Sequence, residues 1–250
     1  MTIERRVRIL QETDSMNPRT DWDCNTGRML CFHSRYDLGD KHDYDSDNLK
    51  RELACEAVDD LEEELLRLEE VADALYNRAC NEGIEDHQDC MKYSYRLVGP
   101  RMEKLIDEAF DNNYVALTLS LYDHSGISMS TGGAICGWDS SNVGIIVATK
   151  KDIEETFNGN EGNAIAAMEH EVVVYDAYLR GSVWGFITEY RECASCNACV
   201  EHDECDENAP WIDDESCFGF YGDDHEASGL KSEVGPDYAD LVDSAEIEYA

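Results

Sequence analysis

Residues 114–130 read YVALTLSLYDHSGISMS, and this stretch decides the fold class. Val115, Leu117, Leu119 and Leu121 alternate with smaller or polar neighbours, the period of a half-buried strand. Asp123-His124-Ser125-Gly126 follows as turn chemistry, and Ile127 to Ser130 is short enough to return beside the first strand. An antiparallel hairpin in the middle of the chain excludes an all-helical protein. Working outward, NVGIIVAT (142–149) predicts a buried strand. Thr149 with Asp152 then predicts a capped helix start. The next helix carries Ile165, Met168, Val172, Tyr175 and Leu179 on one face and stops at Gly181. SVWGFITEY (182–190) and SCFGFYG (216–222) predict two more strands on either side of an acidic, Cys-rich excursion.

Toward the N-terminus the period changes. Leu49, Leu53, Ala57, Leu61, Leu65, Leu68, Ala72, Leu75 and Ala79 recur every three or four residues, which predicts one long helix starting near Ser46 or Asp47. A second helix is expected after Pro100, with Met102, Leu105, Ile106 and Phe110 on one side. Short strands are expected at Val7–Gln11 and in RMLCFHSRY (28–36). Strands outnumber long helical crossovers, so the expected class is α+β with a mainly antiparallel sheet. The expected organisation is a single domain over 1–222, with a helical hairpin insertion at 47–111 and a Cys-rich loop insertion at 191–215. An acidic C-terminal tail at 223–250 carries a short docked helix.

Charge restricts the partners. The chain holds 56 acidic against 20 basic residues, a net charge of −36. Affinity for a phosphate backbone comes from Lys and Arg, so direct nucleic-acid binding is not expected. The acids pepper every element, which favours a surface adapted to molar salt over a nucleic-acid mimic with its charge in one stripe. No run reaches the ~18 apolar residues needed to cross a bilayer, and MTIERRVRIL has no apolar signal core, so a cytoplasmic location is expected. Eleven cysteines in that setting read as thiols or metal ligands.

Three constellations carry chemistry. In ECASCNACVEHDEC (192–205), Cys193, Cys196, Cys199, His202 and Cys205 fall at every third position. Cys193-x2-Cys196 with His202-x2-Cys205 supplies four ligands for a structural zinc ion. An iron–sulfur cluster is the rival, but the run departs from the ferredoxin spacing at its last cysteine; unliganded thiols are the third reading. The second constellation is His33, His42 with Asp43, and Asp123 with His124, an imidazole–carboxylate set suited to metal-dependent or general acid–base hydrolysis if the loops converge. Turn chemistry explains Asp123-His124 equally well. The third is Arg19 and Trp22, a recognition surface or, alternatively, a plug in the core. Cys31, Cys55 and Cys80 fall where a strand or helix face would bury them.

PRTDWDCNTGRMLCFHSRYDLGDKHDY (18–44), with LYDHSGISMS, YDAYLRGSVWGF and SCFGFYG in the same order, resembles a family of phage and mobile-element proteins with no assigned activity. The resemblance covers about half of the chain; one extra residue precedes Trp22, and the helical hairpin and Cys-rich excursion have no counterpart. It implies a virus or mobile element as the source, and the acidity points to a salt-loving archaeal host. The expected role is that of a non-enzymatic accessory that binds a host or viral protein. A metal-dependent hydrolase and an acidic decoy of a DNA-binding defence protein are the alternatives.

Overall fold

The structure, a computed structural model, describes residues 4–81, 86–124, 126–132, 140–191 and 210–249. It is α+β, with two four-stranded sheets. Strands β1 (Glu4–Gln11), β2 (Arg28–Cys31), β3 (Tyr114–Asp123), β4 (Ile127–Thr131), β5 (Ser140–Thr149), β6 (Val183–Arg191), β7 (Ile212–Tyr221) and β8 (Glu246–Glu248) form the orders β7-β6-β1-β8 and β2-β5-β3-β4. The described pairings are antiparallel except β1 with β8. The opening hairpin forms as its alternation requires, with Leu121 opposite Met129 and Asp123 opposite Ile127.

The chain divides into two compact units, Met1–Asn25 with Leu119–Asn142 and Glu169–Ala250, and Thr26–Thr118 with Val143–Met168. In the first, Val7 and Ile9 of β1 and Trp184 and Phe186 of β6 build a core. That core is closed by Leu230, Val234, Tyr238 and Val242. The acidic C-terminal segment is therefore part of this unit. It supplies a helical turn (Leu230–Glu233), a 3-10 helix (Ala239–Ser244) and strand β8. Its apolar residues every four positions hold it down while its acids face out. Glu189, buried on β6, takes a two-pronged hydrogen bond from Arg6 at 2.7 and 3.1 Å, so the charge is paired where water is excluded.

In the second unit the helical insertion has three helices, α1 (Leu49–Ala57), α2 (Leu61–Asn81) and α3 (His87–Asn113). The single long helix expected from Leu49 to Ala79 breaks after Val58, and Asp60 adopts φ 65°. The apolar spacing runs on in sequence across the break, but Ala57 packs with Leu30 and Tyr114 whereas Leu61 joins the core of Val98 and Met102. The start of α1 also differs: Asn48 is the cap residue without a side-chain cap bond, and Asp45 closes the preceding turn on the Asp47 amide at 2.8 Å. Helix α3 begins well before Pro100, where the Asp86 carboxylate accepts from the Gln88 amide at 2.7 Å. Pro100 lies inside it. An interior proline costs about 3 kcal/mol, and the burial of Val98 and Met102 on either side offsets this. Leu61 and Leu65 of α2 join them in one core, and Leu49 and Leu53 of α1 pack on Leu30, Tyr114 and Val147 in another.

Helices α4 (Lys150–Phe157) and α5 (Glu161–Arg180) form as expected. The Thr149 hydroxyl caps the Asp152 amide at 3.0 Å, and Gly181 closes α5 at φ 70°. No helix among the described residues is long and apolar enough to cross a membrane.

Candidate functional site

A cavity of about 400 Å³ opens in the second unit between β2, the segment 38–44 and α1. The fold makes it by turning the chain back on β2. Leu38 is buried, Gly39 takes φ 69°, and Asp40 then meets Met29 twice. The Asp40 amide donates to the Met29 carbonyl at 2.8 Å, and the Met29 amide donates to Asp40 Oδ2 at 2.7 Å. Glycine is required at 39, since a Cβ there would lie 2.4 Å from the Met29 carbonyl oxygen. His42 follows, with Nε2 donating to the Cys31 carbonyl at 3.1 Å and its ring edge-on to Phe32.

Leu30, Arg28 and Tyr44 supply the apolar and aromatic wall, and Glu52 and Glu56 face it from α1. Asp40, Lys41, His42 and Asp43 complete the lining. Arg28 Nη1 donates to the Tyr44 hydroxyl at 2.8 Å and Nη2 to Glu56 at 3.3 Å, while the same hydroxyl donates to Glu56 in a short bond. Burial and the Glu56 carboxylate push the Tyr44 hydroxyl up from its ordinary value against the pull of Arg28. Tyr44 therefore stays protonated and keeps Glu56 aligned. Glu52 and Glu56 stand four apart on α1, an arrangement that destabilises a helix by a few tenths of a kcal/mol; Arg28 relieves it.

The groups that remain open are mostly acceptors. Asp43 and Glu52 have no side-chain hydrogen bond or ion pair among the described residues. With the Nε2 hydrogen given to a carbonyl, Nδ1 is left as the ring's acceptor; it is shielded from solvent and has no hydrogen-bond partner among the described residues. Lys41 is the one open donor among the lining side chains.

The imidazole–carboxylate set divides between the two units: His33, His42 and Asp43 belong to the second, Asp123 and His124 to the first. His33 stacks on Tyr36 at 5.0 Å and its Nδ1 accepts from the Arg35 amide at 3.3 Å. Asp123 ends β3, and the His124 amide donates to the Gly126 carbonyl at 3.1 Å in the turn. Among the described residues, no group of three or more His, Cys, Asp or Glu side chains is placed to hold a metal ion. Cys193, Cys196, Cys199, His202 and Cys205 lie outside the described residues.

Arg19 takes the plugging role. Its side chain is 1% exposed and donates to Glu171 at 2.9 Å and to Asn25 Oδ1 at 3.0 Å, so it anchors a loop and offers no recognition surface. Asn25 passes the restraint on to the Pro18 carbonyl at 2.9 Å. Trp22 is half-buried, edge-on to Tyr221 at 5.2 Å. Burial, with Glu12 and Asp21 nearby, pushes the Tyr221 hydroxyl up to about 12, and it donates to the Met16 carbonyl at 2.5 Å. Cys31 and Cys55, expected to be buried, are half-buried, and Cys80 is exposed near the C-terminal end of α2.

Sequence reading found His42 and Asp43 but missed Arg28, Asp40, Tyr44, Glu52 and Glu56. One usable signal was Leu38-Gly39-Asp40, a turn tripeptide after a strand; another was the pair of like charges four apart on α1. No family model, curated protein or solved structure matches the chain.

Proposed function

We propose that the protein acts by binding, as an accessory of a virus or mobile element, and that the cavity of the second unit receives a basic side chain of a protein partner. The observation that carries this is the chemistry of the open groups: the Asp43 and Glu52 carboxylates and the shielded His42 Nδ1 all accept hydrogen bonds. An unpaired buried acceptor costs about 1–3 kcal/mol, and a guanidinium N–H would recover it. Four carboxylates against Arg28 and Lys41 leave the lining at net −2 (two positive, four negative). A volume of about 400 Å³ has room for such a side chain. Seven of the nine lining residues, from Arg28 to Tyr44, come from the block that resembles the phage and mobile-element family. Catalysis by His42 is less well supported, since its Nε2 is committed to a backbone carbonyl.

Calorimetric titration with a short peptide holding one arginine among glycines tests this. The titration is done in about 1 M KCl, where diffuse attraction to the −36 charge is screened beyond ~3 Å. Binding should survive the salt, disappear with citrulline in place of arginine, and weaken about tenfold in Glu52→Gln, the loss of one charged hydrogen bond. Equal affinity for Glu52→Gln and wild type removes the cavity from the account, and consumption of the peptide would favour a hydrolase.

We also read the acidity as adaptation to molar salt. Raising KCl from about 0.1 M to about 2 M should lift the thermal midpoint by roughly 10 °C or more, as screening relieves self-repulsion. A midpoint indifferent to salt contradicts that reading.

A further inference from the structure

At one end of the α2–α3 pair, away from the cavity, two thiols are in contact. Cys80, next to last in α2, and Cys90, in the first turn of α3, have their Sγ atoms 3.0 Å apart. A disulfide needs ~2.05 Å, so about 1 Å of closure would bond them. The two differ in access: Cys80 is exposed and Cys90 is buried. An accessible thiol beside a sheltered one is the arrangement of an attacking and a resolving cysteine. The helices need not move to meet, because Leu65, Leu68, Ala72 and Leu75 of α2 already share a core with Val98 and Met102 of α3. Near the thiols, Tyr76 of α2 and His87 of α3 are joined by a short hydrogen bond, ring edge to ring face at 5.2 Å.

We propose that Cys80 and Cys90 form a dithiol modification site that a low-molecular-weight disulfide converts into a covalent clasp between α2 and α3. The Cys80 thiolate attacks one sulfur of the small disulfide RSSR. That S–S bond breaks, one RS⁻ leaves, and Cys80 holds the other half as a mixed disulfide. The Cys90 thiolate then attacks Cys80 Sγ and expels the second RS⁻. The two thiol protons end on the two leaving groups, giving one protein disulfide and two RSH; the protein is oxidised by two electrons and the small disulfide reduced by two.

The order of attack follows from the surroundings. Cys80 is exposed and Cys90 buried, so the small disulfide meets Cys80 first; the hydrogen bond with Cys80, then burial, also pushes the Cys90 thiol up to about 11. Once Cys80 is capped, Cys90 Sγ already stands beside the sulfur it must attack, and that proximity favours the second step. Asp86 and Asp89 also face Cys90 and disfavour its thiolate, which keeps it from reacting first.

The test is non-reducing peptide mapping of the full chain after incubation with glutathione disulfide and alkylation of remaining thiols. The expected product is a Cys80–Cys90 cross-linked peptide, two hydrogens lighter than its parts, appearing before Cys24, Cys31, Cys55 or Cys217 is modified. In Cys90→Ser, Cys80 should instead accumulate as a stable glutathione adduct; in Cys80→Ser, Cys90 should stay a free thiol. The wild-type map requires no variant to fold. Wild-type protein that retains a glutathione adduct on Cys80 beside a free Cys90, or that links Cys80 to any other cysteine, overturns the proposal.

Discussion

Replacing Arg19 with alanine should cost the first unit about 3–5 kcal/mol, the largest loss expected from any single polar substitution among the described residues. The reason is what stays behind. Glu171 has a side chain only 14% exposed, and without the guanidinium its carboxylate must be desolvated without its Arg19 ion pair or take up a proton. Asn25 loses a donor as well, and it holds the loop through the Pro18 carbonyl at 2.9 Å and the Trp22 carbonyl at 3.3 Å. The effect should be local in origin and cooperative in outcome, because the loop packs Trp22 on Tyr221 of β7. Equilibrium denaturation measures it. Exchanging both partners for apolar residues, as in Arg19→Leu with Glu171→Leu, should recover much of the loss, since no charge is then stranded. A single variant within 1 kcal/mol of wild type would show that the pair is not the anchor it is taken to be.

Gly39→Ala should have the second largest effect, and it should fall on the site as well as on stability. A residue with a Cβ at φ 69° pays about 1–3 kcal/mol for the backbone conformation. The added methyl would also sit 2.4 Å from the Met29 carbonyl oxygen, a backbone atom that can yield only if β2 moves. Moving β2 breaks both hydrogen bonds between Asp40 and Met29 and shifts His42 away from the Cys31 carbonyl. The sum is about 3 kcal/mol of destabilisation with loss of peptide binding in whatever fraction remains folded. Retained binding at wild-type affinity would mean that the turn does not build the cavity.

These two positions show how far the sequence could be read. Most strands were legible because period-two alternation, a turn of Asp-His-Ser-Gly and a capping Thr149 are local signals, whereas β8 and the end of β2 at Cys31, short of the expected Tyr36, were not. The helical insertion was half legible. Its apolar positions were correct, yet the spacing of four from Ala57 to Leu61 runs unbroken in the sequence, so periodicity could not reveal the break at Val58–Asp60. Pro100 misled in the opposite way: local propensity starts or stops a helix there, while burial of Val98 and Met102 carries α3 straight through. Arg19 was open to two readings, a recognition surface or a plug in the core, and arginine is seldom fully buried. Its burial depends on Glu171, 152 residues further along, which no local pattern discloses. The same holds for the cavity. His42 and Asp43 stood out as unusual neighbours, whereas Glu52 and Glu56 look like any solvated helix face until the chain brings β2 against α1.

The open acceptors between β2, residues 38–44 and α1 are proposed to bind a basic side chain. Backbone amide NMR shifts followed during titration with the single-arginine peptide in about 1 M KCl test it most directly. Changes are expected to concentrate at Arg28–Leu30, Asp40–Tyr44 and Glu52–Glu56, with His42 ring shifts reporting a new hydrogen bond at Nδ1. Changes spread evenly over the acidic surface, or confined to residues outside 28–56, would contradict it.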